Sequence, residues 1–325
     1  MPKQSTQTDG ESCFRTSIGG QALIEGIYMR GPDKQSIVVR DQDGQLVVKT
    51  EELKLTKEHY PILGIPFIRG AFAFIGTMVE GVKALMYSAD FYPEEEMSEP
   101  SKLDQWLEKH LDSKKLDNLV VGFATVVAVA FSVGLFFLLP TVITSLLKLL
   151  IPMSVLGQNL VEGVLRIAIF LSYLILVSKM KDIRRVFSYH GAEHKTIFCY
   201  ERGLELTVEN VRKMPRHHPR CGTSFLFVVI ILAILCYSVL FSFFTPPNVL
   251  VRILLQLVLI PVVVGIAYEI NRYVGRHDNV VTRIITAPGL WLQNFTTFEP
   301  DDSMIEVGIE SLKQVIPQEK GKDKW

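Results

Sequence analysis

Leu119 to Leu139 is a run of 21 residues without a single charge. A helix of about 20 such residues crosses a hydrocarbon core of roughly 30 Å, and in lipid only a helix or a closed barrel satisfies its own backbone. This segment predicts an α-helical membrane protein and governs the reading of everything around it.

Three further apolar stretches extend the pattern: Leu160 to Ser178, Ser224 to Phe244, and Leu250 to about Ile270. About four transmembrane helices are therefore expected. Pro140 is expected to close the first, leaving Thr141 to Ile151, with its single Lys148, as an interfacial or re-entrant piece. Glu162 and Arg166 stand four residues apart near the start of the second span and read as an ion pair at headgroup level. Arg252 and Glu269 lie near the two ends of the fourth, where their side chains can reach water.

The 34 basic and 34 acidic residues cancel overall, but they are segregated. Between the second and third spans lie Lys179, Lys181, Arg184, Arg185, Lys195, Arg202, Arg212, Lys213, Arg216 and Arg220, whereas the other two loops are nearly bare of positive charge. Positive charge stays inside, so this loop is expected in the cytoplasm, and with four spans both termini join it. The opening residues MPKQSTQTDGESCF lack the basic-then-apolar pattern of a secretory signal. Cys13, Cys199, Cys221 and Cys236 are too scattered for a disulfide framework, which suits a reduced, cytosol-facing, multi-pass protein. The lipid bilayer is the partner these features imply. Nucleic acid is not expected, because no aromatic stacking platform accompanies the basic loop.

Outside the spans, Ser36 to Arg40 and Gln45 to Thr50 flank Asp41-Gln42-Asp43-Gly44, a hairpin signal within a small cytoplasmic β-rich module over residues 1–60. Residues 61–92 are apolar but broken by Arg69, Glu80, Lys83 and several glycines, as in a helix lying on the membrane, with a fifth span as the alternative. Residues 93–116 predict a cytoplasmic helix packing Leu103, Trp106, Leu107 and Leu111. A membrane region over 117–270 then encloses a His-rich cytoplasmic loop at 179–223. In the C-terminal segment, 271–325, Ala287 to Trp291 reads as an interfacial turn. Asp302 or Ser303 caps an amphipathic helix to about Val315, and a disordered lysine-rich tail follows.

Four of the seven histidines, His190, His194, His217 and His218, share the basic loop. His190-Gly191-Ala192-Glu193-His194 has the form H-x-x-E-H, which on a helix sets two imidazoles on one face with a carboxylate beside them. That suits two nitrogen ligands on one zinc ion, with Glu193 able to take a proton from water. A third ligand is available from His218-Pro219-Arg220-Cys221. Used together, His218 and Cys221 would close a four-ligand structural site; one alone leaves the open position of a catalytic site. His277 is in reserve. The plain alternative is a surface helix whose histidines are solvated or paired with carboxylates. Haem is disfavoured, since no histidine lies within a span. Arg30 and the glycines of residues 18–32 fit either an anion-binding turn or an ordinary glycine-rich β-turn.

At GGQALIEGIYMRGP (19–32), YHGAEHKTIFCYE (189–201), HPRCGTSF (218–225), YEINRYVGR (268–276) and PGLWLQNFTTFEPDD (288–302), the sequence resembles the YqhQ-type family of uncharacterised bacterial membrane proteins, tagged as predicted metal-dependent enzymes. The resemblance runs from about Ser17 to Asp302 and implies a bacterial plasma-membrane location. Carried over residue by residue, it singles out Glu25, Arg30, His190, Glu193, His194, His218, Arg220, Cys221, Glu269 and Arg272. His217 falls outside the motif, so His218 becomes the preferred loop ligand.

Two functions compete on this reading. One is a zinc-dependent membrane-bound hydrolase, with His190, His194 and His218 or Cys221 on the metal and Glu193 as general base. The other is a non-enzymatic membrane-protein assembly or biogenesis factor, for instance a partner of the protein-insertion machinery, in which the same cluster is a staple or a docking surface. A homo-oligomer is compatible with both. A transporter ranks behind them, because the first and third spans lack an ionisable residue at mid-depth.

Overall fold

The computed structural model describes residues 14–53, 64–91 and 113–324, with side chains from residue 122 onward in the last stretch. The expected helix over 93–116 falls outside the described residues except for its last few, as does Cys13. Two compact units result: one of Met1–Tyr92, Leu176–Val229 and Val264–Trp325, the other of Pro93–Ile175 and Ile230–Val263.

Strands β1 (Gly19–Leu23), β2 (Gly26–Arg30), β3 (Lys34–Arg40) and β4 (Leu46–Glu52) form an antiparallel meander in chain order. The β3–β4 hairpin turns where its sequence requires, with Gly44 at φ 78° and the Asp41 carboxylate accepting from the Gln45 N–H at 2.7 Å. The helices are α1 (Ile68–Ala89), α2 (Ser113–Val133), α3 (Leu139–Leu150), α4 (Val155–Val177), α5 (Lys181–Glu201), α6 (Val208–Arg212), α7 (Gly222–Phe243), α8 (Val249–Arg276), α9 (Val280–Thr296) and α10 (Asp302–Val315).

Period-2 alternation gives the sheet two apolar faces, and helices from distant parts of the chain cover both. Ile27, Met29 and Val38 pack with Tyr189, Ala192 and Ile197 of α5 and with Met304, Val307, Leu312 and Val315 of α10. On the opposite face, Leu23 and Tyr28 meet Ala84 of α1. The strands are therefore part of a core completed on one face by α1 and on the other by residues beyond 180, since a lone four-stranded sheet cannot bury two faces by itself.

Among the described residues, four helices are long and apolar enough to cross a membrane: Gly122–Leu150, Val155–Val177, Gly222–Phe243 and Val249–Arg276. The chain is thus an α-helical membrane protein with a small N-terminal sheet. Helix α1 is not among the four. One of its faces packs on the sheet, while Phe72, Ile75, Met78 and Val82 on the other are exposed.

Five expectations need correction. Pro140 does not close the first span: α2 runs through a π-helical turn, Gly134–Leu138, into α3. Proline removes the N–H that would bond the Phe136 carbonyl, and the wider turn relieves the ring clash; the freed carbonyl accepts from Arg166 Nε at 2.9 Å. Glu162 and Arg166 pair at 3.0 Å as their spacing requires, but both are buried in a polar network instead of facing water.

The segment Ala287 to Trp291 is not a turn but the middle of α9, which starts at an Asn279–Thr282 capping box, runs through Pro288 and buries Leu292 and Gln293 in the interior. Helix α10 is capped one residue earlier than expected, by Asp301. The tail behind it is fastened: Thr16 pairs with Lys324, and buried Asp323 accepts from Thr16 Oγ1 at 2.7 Å and Tyr200 Oη at 3.1 Å. Lysine-rich composition suggested disorder, and a contact with the other end of the chain overrides it.

Candidate metal centre

Helix α5 carries His190 and His194 one turn apart, their ring centroids 4.4 Å from each other. Each ring is held by a backbone carbonyl: His190 Nδ1 lies 2.8 Å from the Thr296 oxygen and His194 Nδ1 2.6 Å from the Arg216 oxygen. A carbonyl only accepts, so both Nδ1 atoms carry hydrogen and both Nε2 atoms turn the other way. His190 Nε2 stands 3.2 Å from the Cys221 sulfur, and His194 Nε2 is buried without a hydrogen-bond partner.

Cys221 comes from the start of α7, where its carbonyl accepts the N–H groups of Ser224 and Phe225 at 3.1 and 3.2 Å. Its sulfur receives the Thr223 N–H at 3.4 Å and lies 3.2 Å from the Thr223 hydroxyl. Burial pushes the Cys221 thiol up, but the imidazoles of His190 and His194 outweigh it and hold the thiol well below its ordinary value. Burial likewise disfavours a charged His190, yet the Cys221 sulfur beside it keeps that histidine above its ordinary value. The two shifts favour the proton on His190 rather than on Cys221, and the 3.2 Å contact leaves imidazole nitrogen and sulfur aligned as two donors for a cation that would displace that proton. The ligand atoms of His190, His194 and Cys221 all lie within 4.8 Å of one another.

Glu193 projects beside them, and its Oε1 accepts the Gly20 N–H at 3.0 Å, while Oε2 is buried and unpartnered. Burial holds this carboxyl above the usual carboxylate range against the opposing pull of His190 and His194. A Cβ on Gly20 would stand 2.6 Å from the Tyr28 oxygen and 3.0 Å from the Glu193 carboxyl carbon, so glycine is what lets β1 approach. The glycine block thus forms strand rather than a turn at this point, and its N–H cradles a side-chain carboxylate. These groups border a cavity of about 420 Å³ whose walls include Ile18, Gly20, Thr77, Phe187 and Cys221.

His218, the preferred loop ligand from sequence, is outside the three-residue cluster. Its Nε2 lies 3.6 Å from Glu201, its ring packs against Phe198, and its backbone is clamped by Gln293 through bonds of 2.7 and 2.8 Å. Arg220 also pairs with Glu201, which in addition accepts the Thr16 N–H at 2.8 Å. The His218 ring still lies 5.5 Å from that of His194, but its Nε2 and the Arg220 guanidinium are taken up by Glu201, while Cys221, at the helix start, faces the histidine pair of α5.

Burial, only partly offset by Glu201, pushes His218 down from 6.5 to about 4. A depressed folded value means the unfolded chain binds the proton more readily. The stability from a neutral His218 is therefore whole above pH 6.5 and is lost as pH falls toward 4. Thermal melts of chelator-treated protein in that window are expected to show an acid-sensitive loss of about 3 kcal/mol in the wild type. His218→Gln should lack this step, and an unchanged acid profile in that variant would refute the assignment.

The remaining motif residues lie elsewhere. Glu25, at φ 50° in the β1–β2 turn, pairs with Arg185 and accepts from Tyr189 Oη at 3.0 Å. Arg30 is exposed at the end of β2. Glu269 pairs with Arg69 of α1 at 2.7 Å, and Arg272 is half-buried on α8. His277 stacks on Tyr273 at the surface. Sequence reasoning missed Gly20, Glu201 and Thr223. The Gly19-Gly20 pair was the one visible signal, since glycines inside a strand mark a close backbone approach.

A family model described as protein of unknown function (DUF1385) matches residues 65–318. The uncharacterized protein YqhQ of Bacillus subtilis (strain 168) is 35% identical over 307 residues, spanning 92% of this chain and 92% of the relative. No solved structure matches. With the four membrane-length helices and the histidine–cysteine cluster all inside the matched residues, the chain belongs to the DUF1385 family of proteins of unknown function.

Proposed function

We propose that the chain is a membrane-bound, metal-dependent hydrolase that holds zinc through His190, His194 and Cys221 and uses Glu193 as general base at the cytoplasmic face. The observation that carries this reading is a pair of buried acceptor atoms without partners, His194 Nε2 and Glu193 Oε2, beside the Cys221 sulfur on a cavity wall. A buried polar group left unpaired costs about 1–3 kcal/mol, and a divalent cation among these atoms would remove that penalty. Two imidazoles and a thiolate form a nitrogen–sulfur donor set that suits zinc better than magnesium or calcium. Three protein ligands leave one side open toward the cavity, as in catalytic rather than structural sites. When bound, the ion supplies Lewis-acid polarisation of a substrate carbonyl or phosphoryl group.

Glu193 is suited to take a proton. The Gly20 N–H fixes one carboxylate oxygen, the other has no partner, and burial raises the proton affinity of the group above that of an ordinary carboxylate. The cytoplasmic assignment rests on the basic residues of α5 and α6 between the second and third spans.

A panel of chromogenic esters, amides and phosphoesters presented to the detergent-purified, zinc-loaded protein tests the proposal. At least one should turn over, and Glu193→Gln should slow it about 10²–10⁴-fold at equal metal content. A non-enzymatic assembly factor instead predicts no turnover above the metal-stripped protein and no effect of Glu193→Gln on partner capture by crosslinking. That outcome would reverse the assignment.

A further inference from the structure

Glu162 of α4 is surrounded by donors. Its Oε1 accepts from Thr141 Oγ1 at 3.0 Å, Arg166 Nη2 at 3.0 Å and Gln256 Nε2 at 2.7 Å, and its Oε2 from Arg252 Nε at 3.0 Å. One carboxylate therefore serves two guanidiniums, and the three residues are only 2%, 6% and 7% exposed for Glu162, Arg166 and Arg252. Among the described residues the cluster contains no second acid, so it buries one surplus positive charge among apolar helices. Phe137 and Tyr237 lie over Arg166, and Phe241 over Arg252, which offsets that charge only in part. An uncompensated charge in such surroundings is strongly unfavourable.

A second observation points the same way. Asn159, 5% exposed, gives its Oδ1 to Arg252 at 2.6 Å and leaves its Nδ2 donor without a partner. Asn159, Glu162, Arg166, Arg252 and Gln256 line a cavity of about 10 Å³, room for one particle near the size of a water molecule; the Glu162 carboxylate on its wall is already taken up by Thr141, Gln256 and the two arginines. Water would satisfy the amide but leave the charge standing; a small anion answers both. We propose that this cavity binds a monovalent anion of the halide class, with the Asn159 amide and the two arginines as its donors. The bound ion is the missing counter-charge that lets α3, α4 and α8 pack around Glu162.

Thermal unfolding of the full-length protein in detergent decides the matter. At fixed ionic strength, fluoride, chloride or bromide in place of gluconate should raise the melting temperature by about 3 °C or more, saturably. Asn159→Asp places a fixed negative charge in the same volume and still accepts from Arg252. It should match, in gluconate, the wild type in halide, and should ignore halide. Equal wild-type stability in halide and gluconate would mean that the cavity holds water, and the proposal falls. A halide response undiminished in Asn159→Asp would place the ion elsewhere and overturn the proposal as well. Should that variant not fold, Arg252→Gln removes the surplus charge by another route, and a halide response surviving there is equally fatal.

Discussion

Full-length protein purified in detergent without chelator is expected to carry about one zinc ion per chain, and the His190→Ala/His194→Ala variant essentially none. The expectation follows from how the donors are held. Both imidazoles are locked by carbonyls that fix the tautomer, so their Nε2 atoms cannot turn away, and the loss of both leaves Cys221 with one neighbouring carboxylate. A single thiolate does not retain a zinc ion through purification. Alanine is a strong helix former, so α5 should persist; the two lost side-chain bonds are expected to cost about 2 kcal/mol together. Elemental analysis beside a melting curve separates metal loss from unfolding. Folded wild type without metal would end the hydrolase reading, and a double variant that keeps its zinc would move the metal to other ligands. Bound zinc should also raise the melting temperature of the wild type but not of the variant, because a ligand stabilises only the state that binds it.

What the sequence disclosed follows the range over which each interaction acts. The spans, the Asp41–Gly44 hairpin and the His190–His194 spacing depend on residues a few positions apart, and all appear in the structure. The candidate site was legible as far as the i,i+4 histidines, Glu193 and Cys221. It was not legible that His218, three residues before Cys221, turns to Glu201, because the choice is made by Gln293 and by Arg220's pairing. The support of Glu193 by Gly20 bridges 173 residues, and no local pattern encodes it. Pro140 misled for a similar reason: its helix-breaking tendency is local, while the Arg166 side chain that takes up the freed carbonyl lies 30 residues from Phe136. The same holds for Glu162, whose second arginine is 90 residues away.

Gly191→Val is expected to prevent accumulation of folded protein, or to destabilise it by on the order of 3 kcal/mol or more. A Cβ at Gly191 would stand 2.0 Å from the Phe298 oxygen, a backbone atom with no rotamer to escape into. Relief requires α5 to move off the segment that follows α9. That segment is tied to α5 by the Phe298 N–H on the Phe187 oxygen at 3.0 Å, and it continues directly from Thr296, the last residue of α9, whose carbonyl orients His190. The strain therefore reaches the candidate metal ligands without touching one, and any folded fraction should have lost zinc as well as thermal stability. Gly76→Ala is the matched control: a Cβ there meets nothing within 4 Å, so on α1 it should be neutral or stabilising by up to about 1 kcal/mol. Size-exclusion yield, melting temperature and zinc content of the two variants read the difference. A Gly191→Val protein with wild-type values for all three would mean that α5 and the residue 297–300 segment are not packed as described, and the alignment of His190 toward Cys221 would lose its physical cause.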